Sequence, residues 1–155
     1  MNQQDLFAEL RSLRRSLAKL LPELPARGQD WRPRDGMRTV WELATHLVQV
    51  PAIDTLISQA APQKDVQVRE KSLSANDAAG LLAVYDAGLS EAERHFSAMS
   101  AEEFEGTVTT AFYGHSMPAK GWLLEIVTHV HHHRAMLYTC LKLMGRPVDM
   151  SHLYA

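Results

Sequence analysis

The chain has 155 residues, with 16 Lys and Arg against 18 Asp and Glu, a formal net charge of −2 and a single cysteine. That length fits one domain over 1–155, ample for a core buried without disulfides, and one cysteine excludes an intramolecular bridge and fits a reducing compartment. A slightly acidic chain has no general attraction for phosphate backbones, so nucleic acid is not an expected partner.

Leu6, Leu10, Leu13, Leu17 and Leu20 recur at steps of three and four, which predicts a core-facing helix over about 4–21 with Arg11, Arg14 and Arg15 on its solvated face. Asp5 and Glu9 stand where a secretory signal needs a basic start and an apolar run, and no apolar segment approaches the ~18 to 20 residues that cross a bilayer. A cytoplasmic protein with no membrane partner is expected. Pro22, Pro25 and Gly28 end the first helix, and Thr39 with Glu42 has the spacing of a capping box that opens a second. The second helix carries Val40, Leu43, Leu47 and Val50 inward, with His46 on or beside that face. Pro51 predicts a kink or short break before the pattern resumes at Ile53, Leu56 and Ile57 and stops at Ala61-Pro62.

Residues 63–71 lack periodicity and read as an exposed loop. A Ser74-x-x-Asp77 cap opens a third helix through about Ala98, with Leu81, Tyr85, Leu89 and Phe96 facing the core and Gly88 as a weak point. Ser100-Ala-Glu-Glu caps one more turn, and the β-branched and aromatic run from Thr107 to Tyr113 predicts an extended connection ending at Gly114. Pro118 and Gly145 bracket a long final helix, after which RPVDMSHLYA packs across an end of the bundle or a neighbouring subunit. The fold class expected is all-α: a four-helix bundle with a long, partly extended connection between the third and fourth helices.

Trp122, Ile126, Met136, Cys140 and Met144 form the apolar stripe of the final helix, and His129 and His133 interrupt it one turn apart. Each inward imidazole would need its own buried partner, whereas one divalent cation satisfies both. His131 lies on the opposite face and His132 toward the flank, near enough to compete but poorly aligned, so the spacing favours His-x-x-x-His with His-x-x-His as the weaker alternative; His95, His115 and His152 are expected to be exposed. Facing helices of a bundle build metal sites, which makes His46 the natural third ligand.

The segments Trp41-Glu-Leu-Ala-Thr-His46-Leu, Thr128-His129-Val-His-His-His133-Arg134 and Leu141-Lys-Leu-Met-Gly145-Arg-Pro147 are similar to those of the DinB/YfiT-like, damage-inducible superfamily of four-helix-bundle metalloproteins, and the resemblance covers nearly the whole chain. It implies a divalent metal, zinc or nickel, on His46, His129 and His133. Two positions depart from the family pattern: Val130 replaces a frequent acidic residue, and Ala135-Met136 replaces Gly-Gln.

Three neutral imidazoles leave coordination positions open for water or a thiolate, which the ion would activate. Several relatives are thiol S-transferases or isomerases using bacillithiol, mycothiol or glutathione, so the resemblance implies a metal-dependent enzyme acting on a small molecule with a low-molecular-weight thiol, or a hydrolytic variant. Glu42 and Glu125, each one turn before an expected ligand, are candidates to orient that ligand or act as a general base. The alternative is a non-catalytic bundle, fastened by its ion, in a dimer or a stress-response complex; the resemblance and the long, largely apolar final helix also lead to the expectation of a symmetric homodimer paired through helix faces.

Overall fold

The computed structural model describes residues 2–29 and 31–154; positions 1, 30 and 155, within the terminal and loop stretches read above, lie outside the described residues. Four long helices carry the architecture: α1 (Gln3–Leu20), α2 (Val40–Ser58), α4 (Ala78–Ser97) and α6 (Ala119–Leu143), with the shorter α3 (Gln63–Ser72) and α5 (Ala101–Gly106) between them. α2 packs against both α4 and α6, and α1 closes the bundle against the same two helices. The fold is therefore the all-α bundle that the periodicity predicts.

The core is the convergence of these apolar faces, with Leu10, Leu13 and Leu17 of α1, Leu47 of α2, Leu81 of α4 and Ile126 of α6 fully buried. At the start of α1 the Asn2 side chain accepts from the Asp5 N–H while Asp5 receives the Asn2 N–H, and Thr39 with Glu42 closes the same reciprocal box on α2. Arg14 forks onto Asp86 through two 2.9 Å hydrogen bonds and Arg11 reaches Glu93 at 2.5 Å, so these two arginines line the α1–α4 seam and are not merely solvated. Both pairs are half-exposed and contribute little beyond orientation.

Pro51 does not break α2. The helix runs unbroken through it, and the Thr55 hydroxyl donates to the Pro51 carbonyl at 2.6 Å. Gly88 of α4 lies against this stretch: a Cβ there would sit 2.8 Å from the Ala52 nitrogen and 3.3 Å from the Pro51 Cβ. The position read as a weak point is the place where α4 approaches the α2 backbone.

The stretch 63–71 is likewise not a loop, because it forms α3. Val66 alone is buried in it, so no apolar period exists to be read; the helix is specified at its ends. Asp65 lies in the first turn and Arg69 and Lys71 in the last, matching the helix dipole, while the Gln49 amide donates to the Glu70 and Leu73 carbonyls at 3.0 and 2.5 Å. Asp77, not Ser74, caps α4 by accepting from the Gly80 N–H at 2.7 Å.

The extended connection is a hairpin, β1 (Val108–Thr110) paired antiparallel with β2 (Ser116–Pro118) in the register Thr109 opposite Met117. The Thr109 hydroxyl donates to the Ser58 carbonyl at 2.8 Å, which ties the hairpin to the end of α2. The C-terminal segment lies across this same chain: the Ser16 hydroxyl donates to the His152 carbonyl at 2.5 Å and Arg134 to the Leu153 carbonyl at 2.9 Å. No helix of the described residues is long and apolar enough to cross a membrane.

Gly88→Ala places a methyl group against backbone that cannot rotate away. The expected result is a destabilisation of about 1–3 kcal/mol, read as a lower urea midpoint and a lower melting temperature by circular dichroism.

Candidate metal centre

Helical geometry puts His129 and His133 one above the other on α6, and the packing of α2 beside α6 brings His46 to the same depth. Ring centroids are 4.8 Å apart for His129 and His133, 5.4 Å for His46 and His129, and 4.6 Å for His46 and His133. One nitrogen from each ring lies within 4.8 Å of the others, and the Nε2 atoms of His129 and His133 are 3.0 Å apart. Metal–nitrogen bonds of 2.0–2.1 Å in a tetrahedral arrangement set ligand nitrogens about 3.3 Å apart. The three imidazoles therefore fit a shared divalent ion with small side-chain adjustments.

Their electrostatics differ. Burial, with the charge of Arg38 and the neighbouring His129, pushes the pKa of His46 down to about 4. Burial and then the adjoining imidazoles push His133 down to about 3, and its Nδ1 is buried without a hydrogen-bond partner. Both rings are neutral at neutral pH, the form that ligates. His129 is shifted upward instead, chiefly by its hydrogen bond to Asp54, whose Oδ2 lies 2.7 Å from His129 Nδ1. That bond sets the tautomer and leaves Nε2 directed at the cluster.

Asp54 was not among the residues singled out from the sequence, although a carboxylate inside the apolar run Pro51-Ala-Ile-Asp-Thr-Leu-Ile was a readable signal that a buried partner awaited it. Glu70 also adjoins the site, with Oε1 3.9 Å from His46 Nδ1; it was hidden by the reading of α3 as a loop. Among the described residues no further His, Cys, Asp or Glu joins the cluster of three.

Glu42 is exposed, and its carboxylate accepts from the Thr39 N–H at 2.7 Å, which holds it below the usual carboxylate range. Glu125 is exposed on α6, and its charge favours protonation of His129. His131 faces α1, with Nε2 2.8 Å from Glu9, and His132 is exposed beside His133. His115 is exposed as expected, whereas His95 and His152 are half-buried, His95 because it stacks edge-on against Phe96 and His152 because the C-terminal segment folds onto α1.

His46 opens onto a cleft of about 560 Å³ lined by Arg27, Arg38, Trp41, Glu42, Thr45 and Gln49 among others. This is a volume ordinary for small-molecule sites. The cleft meets the cluster from the α2 side, and the charge of Arg38 acts on all three imidazoles.

The family model of the DinB superfamily matches residues 9–137. Among solved structures, a protein assigned to the DinB family from Exiguobacterium sibiricum 255-15 is 25% identical, covers 95% of this chain and 94% of its own, and superposes with a TM-score of 0.77. A DinB-like protein of Bacillus cereus ATCC 10987 is 17% identical with 95% of each chain covered and a TM-score of 0.72. One of Bacillus subtilis is 12% identical, covering 93% of this chain and 94% of its own, with a TM-score of 0.68. These last two likenesses speak to the fold. A search of curated proteins returns no match.

Asp54→Asn keeps the shape of the side chain and removes the charge that orients His129. It should lower affinity for zinc by about 10- to 100-fold in a competitive chelator titration, with the helical circular dichroism unchanged. The pH dependence should be that of one proton. His46 and His133, at about 4 and 3, compete with the ion only in strong acid, so the raised His129 is the group whose proton must leave. Below its pKa, zinc affinity should fall about tenfold per pH unit, steepening only toward pH 4. A slope of three protons near pH 6 would contradict this assignment.

Proposed function

The chain belongs to the DinB superfamily, and from that premise we propose that it is a metal-dependent enzyme that activates a low-molecular-weight thiol, in an S-transferase type of reaction, at His46, His129 and His133. Activation of water, as in a hydrolase, is the close variant. The observation that carries this reading is the pairing of a three-imidazole cluster with an open cleft on one side of it and no fourth protein ligand among the described residues. Zinc or nickel suits such imidazole ligands. When bound, the ion supplies Lewis acidity that lowers the pKa of a thiol or water entering the cleft.

The protein's own residues have distinct parts in this proposal. His46 and His133 are kept neutral by burial and present lone pairs. Asp54 holds His129 in the ligating tautomer. Glu42 borders the cleft but is engaged with Thr39, and a base role would require it to give up the α2 cap; Glu125 stands on the other flank. A cytoplasmic homodimer completes the proposal, with exposed Met37 and Leu143 as apolar surface available to a second copy.

Cobalt-loaded protein should bind one ion per chain, change its visible spectrum on titration with a small thiol, and accelerate conjugation of that thiol to 1-chloro-2,4-dinitrobenzene. His46→Ala should return the rate to background. An ion that raises the melting temperature, as binding at 100 times Kd should by about 2.7 kcal/mol of stabilisation, with no spectral response to thiols and no turnover, would instead favour the non-catalytic bundle.

A further inference from the structure

We infer that the small molecule reaching the histidine cluster carries an oxyanion, a carboxylate or phosphate group, which the Arg38 guanidinium holds with help from Arg27. This rests on the reading of the cluster as an open metal site and names the substrate class that the adjoining cleft selects.

Four charged side chains border the cleft: Arg27, Arg38, Glu42 and Glu70. Neither carboxylate pairs with a guanidinium of the cleft among the described residues. Glu42 closes the α2 cap with Thr39 at 2.7 Å, and Glu70 lies 3.9 Å from His46 Nδ1. Of the neutral donors in the lining, the Gln49 amide nitrogen serves the Glu70 and Leu73 carbonyls and the Trp41 indole serves the Pro25 carbonyl, while the Thr39 and Thr45 hydroxyls also border the cleft.

Both guanidiniums keep N–H donors without a hydrogen-bond partner among the described residues, and they are the cationic donors of the cleft. The Arg27 guanidinium carbon lies over the Trp41 ring, 4.9 Å from its centroid, a cation–π contact that commits none of its N–H donors to a hydrogen bond. Arg38 makes no hydrogen bond or ion pair among the described residues, although it is near enough to the cluster for its charge to act on His46, His129 and His133. A guanidinium offers five donors in a planar fork that matches a carboxylate or phosphate. Gly28, at φ +94°, adds open floor, with no atom within 4 Å of where its Cβ would project.

Uncommitted planar cations beside a neutral ligand set are complementary to a substrate with its reactive end at the cluster and its oxyanion at Arg38. A wholly neutral substrate would leave these donors unmatched.

The test uses full-length cobalt-loaded protein and compares mercaptosuccinate with neutral 2-mercaptoethanol. The dianionic thiol should bind about tenfold tighter or more, as charge-assisted hydrogen bonds are worth. Most of that advantage should be lost in Arg38→Ala, leaving the smaller share of Arg27, and more of it should persist in Arg38→Lys, with cobalt affinity undiminished in both. Succinate and inorganic phosphate are titrated separately by calorimetry: stronger Arg38-dependent binding of succinate identifies a carboxylate, and of phosphate a phosphate group. Equal binding of the charged and neutral thiols, or an advantage undiminished in Arg38→Ala, would overturn the inference. If neither thiol perturbs cobalt, the thiol reading fails while the oxyanion inference is still decided by calorimetry: Arg38-dependent binding supports it, and absence of binding by both anions overturns it.

Discussion

The hydrogen bond between Asp54 of α2 and His129 of α6, at 2.7 Å, is the contact on which the geometry of the site depends. A carboxylate buried to 8% exposure is strongly unfavourable unless a partner meets it. His129 is that partner, and the bond has three effects. It stabilises the buried charge, fixes which ring nitrogen faces the cluster, and joins the two helices that carry the ligands. Sliding α2 by one turn, about 5.4 Å, would separate His46 from the α6 pair and strand Asp54 at the same time. The register that assembles the ligand cluster is thus the register that satisfies the buried carboxylate.

α4 packs extensively along α2 from behind and comes close to its backbone at Pro51 and Ala52. Pro51 withholds one backbone donor in mid-helix, which ordinarily bends or ends a helix. Here Gly88 allows α4 to lie against Pro51 and Ala52, and the Thr55 hydroxyl donates to the Pro51 carbonyl. The helix bearing His46 continues two more turns past the proline and delivers Asp54. Had α2 ended at the proline, the cluster would have lost the residue that orients one of its rings.

The sequence made the long helices and the three imidazoles legible because each has a strong local signal. Leucines at three- and four-residue steps mark α1, reciprocal caps mark the starts of α2 and α5, and a four-residue histidine spacing marks one face of α6. The parts that escaped depend on partners distant in sequence. α3 buries Val66 alone and owes its end to Gln49. The close approach of α4 to Pro51 and Ala52 depends on Gly88, in a different helix from both. Asp54 has meaning only beside His129, and Arg38 only once the cleft exists, since in the linear chain it is one more charge in a polar loop.

The core that packs these helices is continuous without the histidines, with Leu10, Leu13, Leu17, Leu47, Leu81 and Ile126 fully buried. A bundle of this size does not require an ion in order to fold, unlike small zinc modules that have almost no core. Three neutral imidazoles would also leave the two charges of the ion largely unbalanced, with Asp54 compensating in part through His129. Arg38 then stands where it opposes the ion, just as it opposes protons on all three rings. A cation placed beside a cation site weakens that site unless an anion sits between them. With an oxyanion in the cleft, both positive groups gain, and the arrangement becomes favourable in the occupied state alone. On the proposed reading, Arg38 would reduce affinity for the bare ion and give selectivity for the ligand that completes it.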